Sequence, residues 1–166
     1  MFRLICINQF LIDMKTILGM ILMATLTIAG CQKEDFEDAP FRCKIDGKEF
    51  VVTDELLAVT VSGGNNFYIQ ATRVANPLND DLYGEMKLDF STDSTGTIAL
   101  NASNTWRWSN NGGETFRSDG TDPGTLTITS LDMNAKRMTG TFELTAYNGD
   151  KSASRSITEG FFDISW

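Results

Sequence analysis

The segment 124–146, GTLTITSLDMNAKRMTGTFELTA, decides the fold. Leu126 and Ile128 stand between threonines. Met138, Gly140, Phe142, Leu144 and Ala146 then alternate with Thr139, Thr141, Glu143 and Thr145. A period of two puts one set of side chains on each face of an extended chain, the pattern of strands with one face buried and one in water. The stretch Asp132-Met133-Asn134-Ala135-Lys136 between the two runs reads as a hairpin loop.

The same period holds on both sides of this hairpin. Phe41, Cys43 and Ile45 alternate with Arg42, Lys44 and Asp46, and Leu57, Val59 and Val61 follow. Phe67, Ile69 and Ala71 come next, then Met86, Leu88 and Phe90, then Ile98 and Leu100, then Trp106 and Trp108. Phe162, Ile164 and Trp166 close the chain. Turn formers separate the runs at Asp46-Gly47, Ser62 to Asn66, Asn76-Pro77, Asn110 to Gly113, Asp122-Pro123-Gly124 and Asn148-Gly149-Asp150. No stretch has helical amphipathicity. The expected domain, 41–166, is therefore all-β: a single antiparallel β-sandwich or barrel of about eight to ten strands.

The first forty residues have a different character. Lys15 precedes TILGMILMATLTIA, an uncharged run at 16–29 that is too short to span a bilayer as a helix and suits the core of a signal peptide. Residues 1–30 are read as that signal peptide. The true start falls at Met14, because Asp13 and the apolar patch before it do not belong in a short basic leader. Ile28-Ala29-Gly30-Cys31 resembles the bacterial lipobox, whose cysteine carries the lipid. Gln32, Lys33, Glu34 and Asp35 resemble the export signal that sends Bacteroidetes lipoproteins to the outer face of the outer membrane. Residues 31–40 would form a lipidated acidic tether, and an acylated Cys31 would make the membrane a partner.

Composition narrows the function. The chain has 14 Lys and Arg against 22 Asp and Glu, for a net charge of −8, and loss of residues 1–30 takes Arg3, Asp13 and Lys15 with it to leave −9. Such a domain repels phosphate backbones, so nucleic acid is not an expected partner. There is no histidine, which removes the commonest general base and zinc ligand. Nucleophile-elbow, Ser-x-x-Lys and phosphate-loop patterns are missing as well. The expectation is no enzyme, no cofactor and no metal. Of Cys6, Cys31 and Cys43 only Cys43 stays in the domain without a lipid. No disulfide can then form within it, and Cys43 reads as a small core residue.

The segments Gly124 to Asp132, Met138 to Phe142 and Ile157-Thr-Glu-Gly-Phe-Phe162 are similar to the C-terminal half of a family of uncharacterised Bacteroidetes lipoproteins. Lys44-Ile-Asp-Gly-Lys48 resembles that family's first hairpin. The resemblance covers most of 41–166 and implies an all-β lipoprotein domain without an assigned activity. Its glycines and aspartate read as turn and bulge residues that need positive φ.

Two local features suggest ligands. Trp106 and Trp108, beside Asn104, Asn110 and Asn111, could form a platform for stacking on a sugar, although the alternation points both rings inward. Asp119 to Gly124 and Asn79-Asp80-Asp81 carry oxygen ligands suited to calcium, but neither forms a twelve-residue ligand loop and both read as turns. The role this leaves is binding or structural at the cell surface, with a glycan or a protein as partner. The alternative is a lipocalin-like carrier of a small apolar ligand inside a barrel.

Overall fold

A computed structural model describes residues 36–74, 82–101, 103–110 and 112–166. The expected signal peptide (1–30), Cys31 and the Gln32 to Asp35 signal lie outside the described residues, as do Asn79, Asp80, Asp81 and Asn111.

Among the described residues, eleven strands form one antiparallel sheet. They are β1 (Phe41–Ile45), β2 (Lys48–Val52), β3 (Leu57–Ser62), β4 (Asn66–Arg73), β5 (Gly84–Ser91), β6 (Gly96–Leu100), β7 (Thr105–Asn110), β8 (Thr115–Ser118), β9 (Gly124–Asp132), β10 (Arg137–Tyr147) and β11 (Ser154–Ser165). The main path runs β2-β1-β11-β10-β8-β7-β5-β4-β3. β10 is the fork: its first part pairs with β9, which carries β6, and Ala146 and Tyr147 at its end pair with β8. The sheet curls into a nearly closed barrel. The Arg73 guanidinium on β4 donates to the Glu49 carbonyl on β2, tying one end of the path to the strand next to its other end.

Every apolar run named from the alternation faces the interior, with the edge strand β3, Ile98 and Trp166 only half-buried. Aromatic rings fill the core. Phe67 stacks on its cross-strand partner Phe90 at 5.6 Å and meets Trp166 edge-on at 5.2 Å, while Trp108 stacks on Phe116 at 5.8 Å. The two strands that alternation did not expose are β2 and β8. β2 carries Phe50, Val51 and Val52 consecutively, and β8 spans only four residues.

Residues 36–40 pack on the domain, although their acidity placed them in the tether 31–40. Ala39 is buried, the Pro40 carbonyl accepts from the Asp163 amide at 2.8 Å, and the Arg42 guanidinium stacks on Phe161 with its carbon 4.0 Å from the ring centroid.

The glycines of the C-terminal motifs need correction. Asp46 and Gly47 do have φ of 51° and 78°, as a two-residue primed hairpin turn requires. Gly124, Gly140 and Gly160 do not have positive φ. They are glycines because neighbours press on them: a Cβ on Gly124 would lie 2.2 Å from Leu144 Cβ, and one on Gly160 2.3 Å from the Phe142 carbonyl oxygen. The bulge expectation itself holds. Register shifts occur between Thr139 and Gly140 and between Phe142 and Leu144, and the positive φ (52°) belongs to Glu159. Asp132 is a turn residue as expected, its carboxylate accepting from the amides of Asn134 and Ala135 at 2.9 and 2.8 Å.

Candidate ligand-binding cleft

Where Trp106, Trp108 and Phe116 turn inward, the residues between them turn outward. Antiparallel register then sets Lys87 opposite Arg107, Arg107 opposite Arg117, and Arg117 opposite Tyr147. The result is a line of three cations across β5, β7 and β8 that ends on a tyrosine of β10. Tyr68 lies on β4 at the other side. Between the two tyrosines the outer face holds a cleft of about 610 Å³, floored by this line and walled by Asp119 and Lys151, a size in the ordinary range for small-molecule sites.

The charges within the cleft differ in their state. Lys87 is paired with Glu85 at 2.5 Å, and the hydrogen bond that its ammonium donates to that carboxylate raises its pKa above the usual lysine range. Asp119 is ion-paired with Lys151 and accepts from the Thr121 amide and hydroxyl, both at 3.1 Å. Lys151 first, and Thr121 second, hold its carboxyl below the usual carboxylate range. Arg107 and Arg117 are exposed, and among the described residues neither guanidinium has a hydrogen-bond or ion-pair partner. Like charges directly opposite each other on one face destabilise a sheet, so two unpaired arginines in register are not a stabilising choice. A second cleft, of about 480 Å³, borders Arg42, but that guanidinium is already held by Phe161, by the Ala39 carbonyl at 3.0 Å and by Glu37 at 3.7 Å.

A family of domains matches residues 38–164, from just before β1 almost to the end of β11. The chain belongs to the DUF6252 family, a domain of unknown function. No curated protein and no solved structure matches it. The DUF6252 match begins after Cys31, so the lipid anchor rests on sequence pattern alone.

Within this DUF6252 domain the sequence-expected sites fall as follows. Trp106 and Trp108 are 0% and 2% exposed, so the stacking platform is corrected: both rings are core, as the alternation indicated, and cannot receive a sugar at the surface. Both indole N–H groups are buried without an acceptor among the described residues. Asn104 and Asn110 serve the backbone, Asn104 through the Ser91 amide (3.3 Å) and Asn110 through the Glu114 amide (2.9 Å). Asp119 is spent on Thr121 and Lys151, which accords with the turn reading. Cys43 is fully buried, and burial pushes its thiol far above the usual range. The arginine pair was hidden in one dimension: Arg107 showed only as the polar residue between two tryptophans, and Arg117 lies on the strand that alternation missed.

Proposed function

We propose that the mature protein is a lipid-anchored binding module of the outer membrane, facing outward through acylated Cys31, and that it takes its ligand in the Arg107–Arg117 cleft. The observation that carries this reading is the pair of guanidiniums, unpartnered among the described residues, facing each other across β7 and β8 inside a cleft of a strongly negative chain. Free arginines retained at a destabilising position supply binding capacity that the fold itself does not use.

Binding, not catalysis, is the role. The chain offers no histidine, and of the two carboxylates that line the cleft Asp119 is already committed to Lys151, which leaves Asp89 without a second free carboxylate to act with. A surface cleft also fits the molecule better than an internal apolar ligand, because the interior is occupied by Trp106, Trp108, Phe67, Phe90, Phe116 and Phe162.

The test is a ligand screen of the full chain in detergent against glycans and cell-surface proteins, run beside a double variant, Arg107→Gln with Arg117→Gln. A ligand that binds the parent and not the variant, with the variant melting no lower than the parent, is the expected outcome. Ligands held equally by both proteins would place the site elsewhere and sink the cleft.

A further inference from the structure

We infer that the ligand of this cleft is an acidic oligosaccharide, bearing carboxylate or sulfate groups and lying across the strands from Tyr68 to Tyr147; this rests on the cleft being the binding site. β4, β5, β7, β8 and β10 are successive neighbours in the sheet. At about 4.8 Å between strands, the path along the curved sheet from the strand of Tyr68 to that of Tyr147 is roughly 19 Å. Lys87, Arg107 and Arg117 fall between them at strand spacing. A single small anion would use one guanidinium, whereas an extended chain with repeated charges uses the whole line.

The charge pattern selects among anions. Guanidinium forks match planar or tetrahedral oxyanions with two parallel hydrogen bonds, which an ammonium cannot do. Tyr68 and Tyr147 line the cleft and offer ring surface with a polar tip, suited to the mixed apolar and hydroxyl faces of a sugar. Asp89 and Asp119 also line it. These carboxylates would repel a nucleic acid, whose phosphates follow one another without gaps, yet the exposed Asp89 can accept hydrogen bonds from sugar hydroxyls between sparser charges.

An acidic peptide is the other linear polyanion. Extended peptides gain affinity by adding a strand to a sheet edge, through free backbone N–H and C=O groups. This cleft lies on a sheet face, where β5, β7 and β8 already pair with neighbours on both sides. The backbone there has nothing to give a peptide, and recognition must run through side chains.

The experiment is titration calorimetry on the full chain in detergent with five probes: an oligogalacturonate, a sulfated chondroitin oligosaccharide, a neutral malto-oligosaccharide, an oligoglutamate peptide and a single-stranded oligonucleotide. One or both acidic sugars should bind, with the first two probes separating carboxylate from sulfate. Arg107→Gln with Arg117→Gln should weaken that binding by about tenfold or more, the loss of charge-assisted forks, and raised salt should weaken it in the parent. Equal or tighter binding of the neutral sugar, with loss on Tyr147→Ala, would overturn the acidic assignment and leave the cleft standing. Preferential binding of the peptide or the oligonucleotide would overturn it likewise. Acidic-sugar binding that survives the arginine and Tyr147 substitutions alike would overturn both readings.

Discussion

Gly140 lies beneath the ring of Phe162: a Cβ built on the glycine would stand 2.5 Å from Cζ of that ring and 2.8 Å from the Thr127 carbonyl oxygen. β10 is thus pressed between β9 and β11 at the point where the register with β9 shifts. Gly140→Ala forces the ring or the backbone of β9 to move, and overpacking of this kind costs roughly 1–3 kcal/mol. A denaturant midpoint that falls at unchanged slope checks it. A variant as stable as the parent would show that the seam has slack.

The tryptophans carry a second prediction. Trp106→Ala leaves a large hole in the core and should cost roughly 3–5 kcal/mol. Trp106→Phe should cost clearly less, because it keeps most of the ring and also removes an indole N–H that is buried without an acceptor. Thermal melts of the two variants against the parent decide the matter, and equal losses would mean that the indole nitrogen has a partner in solution.

Strand existence and facing were legible because alternation depends only on which side chains are apolar. Thus Met138 to Ala146, Phe67 to Ala71 and Met86 to Phe90 all face as read. β2 was not legible by period, since Phe50, Val51 and Val52 are apolar together, and β8 was too short to show one. The glycines were misread because a positive φ and a close neighbour leave the same letter in the sequence; only Phe142, Leu144 and Phe162 in place show why the residue is small. The cleft could not be read at all. It depends on the register that brings Lys87, Arg107 and Arg117 together from three strands, and register is a long-range property.

Cys43 yields a prediction in pH. Burial raises its pKa in the folded domain, so the native thiol keeps its proton where the unfolded one, with a pKa of about 8.5, has lost it. A raised folded pKa gives stability that is full below the unfolded pKa and declines as pH rises above it. Relative to Cys43→Ala, the parent should therefore lose about 1.4 kcal/mol per pH unit above roughly pH 9. Paired melts across that range measure the difference, and parallel curves would mean that the thiol ionises in the native state. Native Cys43 should also react slowly with thiol reagents.

Membrane attachment is tested separately from ligand binding. Cys31→Ala should no longer incorporate labelled palmitate, and persistent labelling would sink the anchor. Changing Lys33, Glu34 and Asp35 to alanine should leave the protein acylated but shielded from protease added to intact cells. Cleavage at the parent's rate would reduce these residues to a spacer.

The arginine line makes a prediction that needs no ligand. Arg107 has a cation opposite it on both sides, Lys87 and Arg117, whereas Arg117 faces a cation only at Arg107. Glu85 partly neutralises Lys87, so most of the repulsion belongs to the arginine pair. Opposed like charges on a sheet cost a few tenths to about 1 kcal/mol. Arg107→Gln should therefore stabilise the domain by that amount, and Arg117→Gln by slightly less. The two gains should not add, because either substitution removes the same repulsion, and a double-mutant cycle isolates that shared term. Raising the salt should shrink both gains as the charges are screened. Additive effects, or a loss of stability in Arg107→Gln at low salt, would mean that the guanidiniums are partnered in solution, and the argument for a vacant anion site would fall with them.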